Sequence, residues 1–368
     1  MGDGAAGGTR WNTLDGVRAL AVILVMATHF GLHATQGQIG VDLFFVLSGF
    51  LITSILVKEH DRTDRVSLTN FWKRRALRLF PALGCAIAFA LILSLATSPA
   101  LRYSTITGLP FVLGYIGNWA DVGLHPIGLM GHTWSLAIEE QFYLIWPLVG
   151  IAWLCRTSNR GRTAKIIAAL AAVDALYFMF ALGHWAPGRA IFGTDTHAFG
   201  LLAGSALALS LNRPRRPALE VQTTWLLRTA GAMAAVVIVF LACFGGEVDQ
   251  VAVPATAMAA LLVASLVLVP FGALGSVFAC RPMQWVGRRS YGIYLYHYPL
   301  ALAFVIGHNL HGMHLVAVVS ACITSSILLA AASFRWIESP FLRYKDRIAI
   351  GSPSHATPEP VRMSAASQ

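Results

Sequence analysis

Arg18 and His29 stand eleven positions apart inside one apolar stretch of the 368-residue chain. On a helix that spacing is a rise of about 16 Å and an azimuthal difference of about 20°, so the two side chains share a face at different depths. An imidazole titrates near neutrality and suits a general base, while a guanidinium grips phosphate through paired N–H donors. Taken singly, each has a plainer role: Arg18 as an interfacial anchor, His29 as a satisfied helix-end histidine. More groups of the same kind follow. Asp42 opens the run GVDLFFVLSGFLI, where an aspartate either caps a helix or joins a reactive site. The segment HTWSLAIEEQFYLIWP carries His132, Glu139, Glu140 and Gln141, and GTDTHAFG adds Asp195 and His197. Neighbouring residues on a helix point about 100° apart, so no more than one of Glu139 and Glu140 faces a common cavity. A second set is cationic and aromatic. It comprises Arg74, Arg75 and Arg78 in FWKRRALRLFPAL, Arg288, Arg289, Tyr291, Tyr294 and His297 in GRRSYGIYLYHYPL, and Arg335 with Glu338 in RWIESPFLRYK. Arginines so grouped bind phosphates, with tyrosines to stack on a purine; the bland alternative is anchoring in lipid headgroups.

The elements that must position these residues are apolar helices. Some 56% of the chain is apolar and 12% charged, against about 25% charged in an ordinary soluble domain. That composition excludes a single water-soluble core and describes an all-α, polytopic membrane bundle. Ten apolar segments approach the span of about 17–25 residues that crosses hydrocarbon: residues 14–32, 39–57, 80–96, 134–154, 166–183, 190–211, 225–244, 251–271, 290–307 and 314–337. An even count puts both termini on one side. If that side is the cytoplasm, only Arg102 and Arg189 of the 27 Lys and Arg fall outside it. The net charge of +10 is then topological and implies no nucleic-acid partner. Ionisable groups at membrane depth cost several kcal/mol unless paired or set in a wet cavity. Cations therefore gather at the cytoplasmic end, carboxylates and imidazoles at the outer end.

Three regions follow: a short cytoplasmic segment at 1–13, a transmembrane domain at 14–344, and a disordered cytoplasmic tail at 345–368, rich in Ser, Pro and Ala. The polar start and the Arg within the first apolar run do not fit a cleaved signal, so the first helix is expected to be retained. Phe71, Trp72, Leu77 and Leu79, mixed with Lys73 and arginines, suggest a helix lying at the cytoplasmic interface with its apolar side in lipid. Residues 105–119 read as an outer-side re-entrant or surface segment. The five cysteines show no metal-ligand spacing and read as packing residues, and no metal is implied.

Seven motifs in order, LDGVRALAV, GVDLFFVLSGFLIT, FWKRRALRLFPAL, HTWSLAIEEQFYLIWP, GTDTHAFGLLAGSAL, RRSYGIYLYHYPL and IESPFL, resemble the acyltransferase-3 family of bacterial membrane O-acyltransferases. The likeness runs from about Leu14 to Tyr344, to the form without a fused SGNH-type hydrolase domain. Members modify surface sugars, peptidoglycan and natural products such as macrolides. The resemblance implies an acyl-coenzyme A donor, acetyl foremost, approached from the cytoplasm, and a hydroxyl-bearing acceptor. It marks His29 as the catalytic histidine and Arg18, Arg75 and Arg78 as donor-side residues, and it matches Asp42, Glu139, Asp195 and Glu338 to motif positions.

Together these readings give a set of expected roles. His29, Glu139 and Asp42 are expected in catalysis, with Glu139 holding the His29 tautomer. Arg18, Arg74, Arg75, Arg78, Tyr291 and His297 are expected to bind the donor; Glu140, Asp195, His197 and His132 face the acceptor. His29 either takes the acceptor's proton directly or first carries the acyl group itself. A proton-coupled transporter would also place histidine and carboxylates in the outer half and arginines within. No oxyanion donor is evident from sequence.

Overall fold

A computed structural model describes residues 3–32, 37–154, 159–212 and 219–350, and all regular structure among them is helical. The chain runs through α1 (Asp3–His29), α2 (Gln38–Thr63), α3 (Leu68–Ser94), α4 (Pro99–Leu113) and the short α5 (Gly117–Val122). A 3-10 turn, Gly128–Thr133, leads into α6 (Trp134–Leu154), followed by α7 (Arg160–His184), α8 (Pro187–Phe192), α9 (Phe199–Leu211), α10 (Val221–Phe244) and α11 (Val248–Leu268). The last elements are α12 (Ala273–Phe278), α13 (Arg281–Phe304), α14 (Gly312–Ser333), a π turn at Phe334–Glu338 and α15 (Ser339–Ile350). Helix starts follow local chemistry. Ser67 and Ser98 accept from Asn70 N and Leu101 N at the heads of α3 and α4, and Asn159 accepts from Arg162 N at the head of α7.

Among the described residues, six helices are long and apolar enough to cross a membrane: α2, α3, α7, α10, α11 and the run from α14 into α15. α2 is almost wholly enclosed by the others, whereas α7 and α10 expose Leu170, Val173, Leu176, Met233, Val236 and Phe240. Apolar side chains turned outward in that density belong against lipid.

At the centre, α1 and α13 run parallel and are tied at both ends, Asp15 to Arg288 at 3.3 Å and His29 to His297 at 3.0 Å. They approach so closely that a β-carbon at Gly287 would overlap the Asp15 carbonyl oxygen. The same holds between α2 and α9, where a β-carbon at Gly49 would overlap the Leu201 carbonyl oxygen, and Ser205 Oγ donates to the Gly49 carbonyl at 3.3 Å. Gly49→Val is therefore expected to lower the unfolding midpoint in detergent by the equivalent of about 1–3 kcal/mol. Gly84→Ala, on an exposed part of α3 with nothing within 4 Å of the added carbon, should leave it unchanged or raised.

Several expectations are corrected. Helix α1 begins at Asp3, so helical structure extends through most of the segment expected before residue 14. Residues 68–79 form no separate interfacial helix. They are the first turns of α3, with Phe71 buried and Trp72 Nε1 donating to the Tyr143 carbonyl at 3.2 Å, because the apolar face turns into the bundle. Residues 99–113 make the regular helix α4, and α5 follows it. The expected segment 190–211 is interrupted: the backbone between α8 and α9 is not helical, and α9 has 13 residues, about 20 Å of rise. Helix α15 continues to Ile350, so the first residues of the expected tail are helical; residues 351–368 lie outside the described residues, as does Cys155.

Candidate functional site

Where α1, α2, α3, α6 and α13 converge, they enclose a cavity of about 220 Å³. Helical spacing supplies its polar wall. Ser135, Glu139 and Tyr143 recur every fourth residue on one face of α6. Helix α3 contributes Arg75 and Arg78, α1 contributes Arg18, α2 contributes Ser48, and α13 contributes Ser290, Tyr291 and Tyr294. Glu139 accepts from Ser48 Oγ at 2.7 Å and from Tyr143 OH at 3.2 Å. Glu140, turned away round the helix, is absent from the lining and lies 3.9 Å from Arg75 Nε. The Arg75 guanidinium sits 3.5 Å from the centroid of the Tyr143 ring, which fixes it by a cation–π contact. Arg18 is held at 3.1 Å by Asp15. Arg78 makes no hydrogen bond or ion pair among the described residues and is the lining arginine left with an unused fork of donors. A volume of about 220 Å³ lies below the ~300–1,000 Å³ of pockets that enclose drug-sized ligands.

Tyr294 joins the cavity wall to the imidazoles behind it. Its hydroxyl donates to the His132 carbonyl at 2.7 Å and accepts from Ser135 Oγ at 2.6 Å. Beyond it lies a cluster of three imidazoles, none of which lines the cavity. His297, with no exposed surface, has Nδ1 2.7 Å from the Tyr294 carbonyl; since a carbonyl only accepts, that nitrogen carries the proton. In the neutral ring Nε2 is then an acceptor, so the 3.0 Å contact to His29 uses a proton on His29 Nδ1. His29 Nε2 is left with its lone pair, the form a general base needs. His29 is only partly buried, in the last turn of α1. His132 stacks on Tyr298 at 4.9 Å, and His29 meets the edge of that same ring at 4.9 Å. Among the described residues no metal-binding group of three His, Cys, Asp or Glu is formed.

The sequence placed His297 with the arginines; the structure places it on His29, because nine residues of α13 beyond Arg288 rise about 13 Å. The expected partnership of Glu139 with His29 is replaced by His297, and Glu139 serves the cavity wall. Asp42 is not beside His29 either. It is buried against His197, Oδ1 to Nε2 at 3.0 Å, with His197 stacked on Phe199. Asp195 forms a paired salt bridge with Arg189 at 2.9 and 2.6 Å on the surface. Arg74 binds Glu59 at 3.0 Å, and Glu59 also accepts from Ser67 N, so this arginine fastens the α2–α3 corner. Tyr291 stays at the cavity, donating to the Leu79 carbonyl at 3.2 Å. Ser48, Ser135, Tyr143 and Tyr298 were not singled out for the site; the four-residue spacing of Ser135, Glu139 and Tyr143 was the signal available for two of them.

Comparison with known proteins gives a consistent result. The family model described as an acyltransferase domain, acyltransferase 3, matches residues 11–335. The chain is 33% identical to a peptidoglycan O-acetyltransferase OatA of Listeria monocytogenes over 345 residues, covering 89% of this chain and 55% of that protein. It is likewise 33% identical to an O-acetyltransferase OatA of Staphylococcus aureus over 346 residues, covering 89% of this chain and 56% of the other. The chain thus spans about half the length of the curated relatives it matches. No solved structure matches it.

Proposed function

The chain belongs to the acyltransferase-3 family, and on that premise we propose that it is a membrane O-acyltransferase. It takes an acyl group, acetyl foremost, from acyl-coenzyme A at the cytoplasmic face and transfers it to a hydroxyl of an envelope sugar. The supporting observation is the axis just described: a narrow cavity with Arg18, Arg75 and Arg78 in its wall, joined through Tyr294 to the imidazoles that include the unprotonated Nε2 of His29. The relatives' names, peptidoglycan O-acetyltransferase among them, favour a glycan acceptor over a glycolipid or a macrolide. The Lys and Arg distribution supports ten crossings with both termini cytoplasmic, which makes the arginine end the inner one.

Each group then has one task. The arginines neutralise the donor's phosphates while its arm lies in the cavity, so that the thioester is presented as though intramolecularly. Passage to His29 requires the Tyr294 ring to swing aside, since that ring both lines the cavity and touches His132 and His297. His29 Nε2 removes the proton of the attacking hydroxyl, and His297 accepts from Nδ1 and steadies the imidazolium. The test is release of free coenzyme A thiol by the purified protein in detergent, given acetyl-CoA with and without a soluble chitooligosaccharide. Acceptor-dependent release is expected; no release with acetyl or longer acyl donors overturns the reading. In the same assay Arg78→Ala should raise KM for acetyl-CoA about 10–100-fold with kcat nearly unchanged, the loss of one charge-assisted contact of about 1.5–3 kcal/mol.

A further inference from the structure

We propose that His132 is the oxyanion donor of this site: its ring N–H receives the charge that develops on the thioester carbonyl oxygen when the acceptor hydroxyl attacks. The proposal rests on the acyltransferase reading above. Its starting point is an anomaly of hydrogen bonding. His132 is 2% exposed, and neither of its buried ring nitrogens makes a hydrogen bond of regular geometry; its one polar neighbour in the main chain is Tyr294, whose carbonyl is already taken by His297 Nδ1 at 2.7 Å. The other fully buried imidazoles are satisfied: His297 bonds Tyr294 and His29, and His197 bonds Ile191 and Asp42. Leaving a buried polar group unpaired costs about 1–3 kcal/mol, and such a group in a folded protein asks for an explanation. A ligand atom that is present only during the reaction supplies one.

Position and rigidity favour an oxygen of the reacting carbonyl as that atom. The His132 ring is stacked on Tyr298 at 4.9 Å and edge-on to His297 at 5.5 Å, two contacts that stay in place when Tyr294 swings aside. A donor fixed before the reaction needs no reorganisation when charge appears. Tyr294 both lines the cavity and touches His132, so an arm passing Tyr294 meets His132 and the His29–His297 pair together. No carboxylate contacts the His132 ring among the described residues; its surroundings are His29, His297, Tyr294 and Tyr298. The ring therefore stays neutral and offers a hydrogen bond, without giving up its proton.

The acceptor oxygen bonds to the thioester carbon as its proton passes to His29 Nε2, and the carbonyl π pair moves onto oxygen, where the His132 N–H donates to it. Collapse restores the carbonyl and breaks the C–S bond. The sulfur leaves with that electron pair and takes the proton from His29, giving the ester and free coenzyme A.

His132→Phe keeps the ring shape and the stacking but removes both nitrogens; His132→Gln supplies an amide N–H without the ring. With acetyl-CoA and chitotriose, His132→Phe is expected to lower kcat about 10²–10³-fold with KM for acetyl-CoA within a few-fold. His132→Gln should recover at least tenfold of that loss. The reverse order, with His132→Phe near wild type and His132→Gln worse, would mean a packing role and overturns the proposal. An infrared spectrum of bound acetyl-CoA, carbon-13 labelled at the carbonyl, is the second readout. Its stretch should lie lower in the wild type than in His132→Phe, and an identical band in both counts against the donor. Failure of the wild type to release thiol at all condemns the parent reading; equal turnover by wild type and His132→Phe condemns only the oxyanion assignment.

Discussion

His29→Ala should lower acceptor-dependent thiol release by at least about 10³-fold while leaving the affinity for acetyl-CoA within about threefold. General-base catalysis contributes roughly 10²–10⁴ in rate, and here no neighbouring group is placed to substitute. His297 Nε2 is the acceptor of the same hydrogen bond, and its Nδ1 proton is committed to the Tyr294 carbonyl. Donor affinity should persist because Arg18 lies about 16 Å away along the same helix. The partner can be probed separately. His297→Leu removes the acceptor from His29 Nδ1 and should cost about 10²-fold, whereas His297→Gln, whose amide oxygen can accept, should cost less. Equal losses in the two variants would leave His297 a packing residue. Wild-type turnover in His29→Ala would exclude His29 as the base altogether.

The same variant separates the competing chemistries. A proton-coupled transporter would show no acceptor-dependent thiol release in either form. An acyl-histidine relay would leave label from acetyl-CoA on His29 when acceptor is withheld, and direct transfer would leave none. The tautomer leaves Nε2 unprotonated on a partly buried residue, a condition both routes share.

What the sequence made legible was the axis, and the reason is geometric. Arg18 and His29 lie on one helix, so their spacing alone sets their separation and common face. The arginine-rich start of α3 was legible as an amphipathic helix but not as a cavity wall, since cations interleaved with Phe71 and Trp72 make the same pattern against lipid headgroups and against a wet interior. His297 was misplaced because its motif was read as one location, although its two ends differ in depth by several turns. Glu139 was placed near the site but with the wrong neighbour: the serine that binds it, Ser48, sits 91 residues earlier and carries no signal of its own. Pairings of that kind, Asp42 with His197 included, arise from the packing of α2 against α9 and have no local trace in the chain.

That last pair carries the second large effect. Asp42→Ala should lower the stability of the bundle by about 3–5 kcal/mol, seen as a drop in the detergent unfolding midpoint, because it strands a buried partner. His197 Nδ1 lies 2.7 Å from the Ile191 carbonyl, so Nε2 is the nitrogen facing Asp42 Oδ1 at 3.0 Å. Two lone pairs at that distance repel, and the contact is attractive only with a proton between them. Around it Phe45, Phe178 and Phe199 pack on the His197 ring and offer it no polar atom. Gln38 Nε2 makes long contacts to both groups, 3.5 Å to Asp42 and 3.3 Å to His197, weaker than the 3.0 Å bond they would have to replace. Asp42→Asn makes the distinction sharp: its amide can donate to a neutral Nε2, so most of the stability should return, and activity with it. A catalytic Asp42 would behave in the opposite way, with Asp42→Asn folded yet inactive; that result would move this pair from the framework into the reaction.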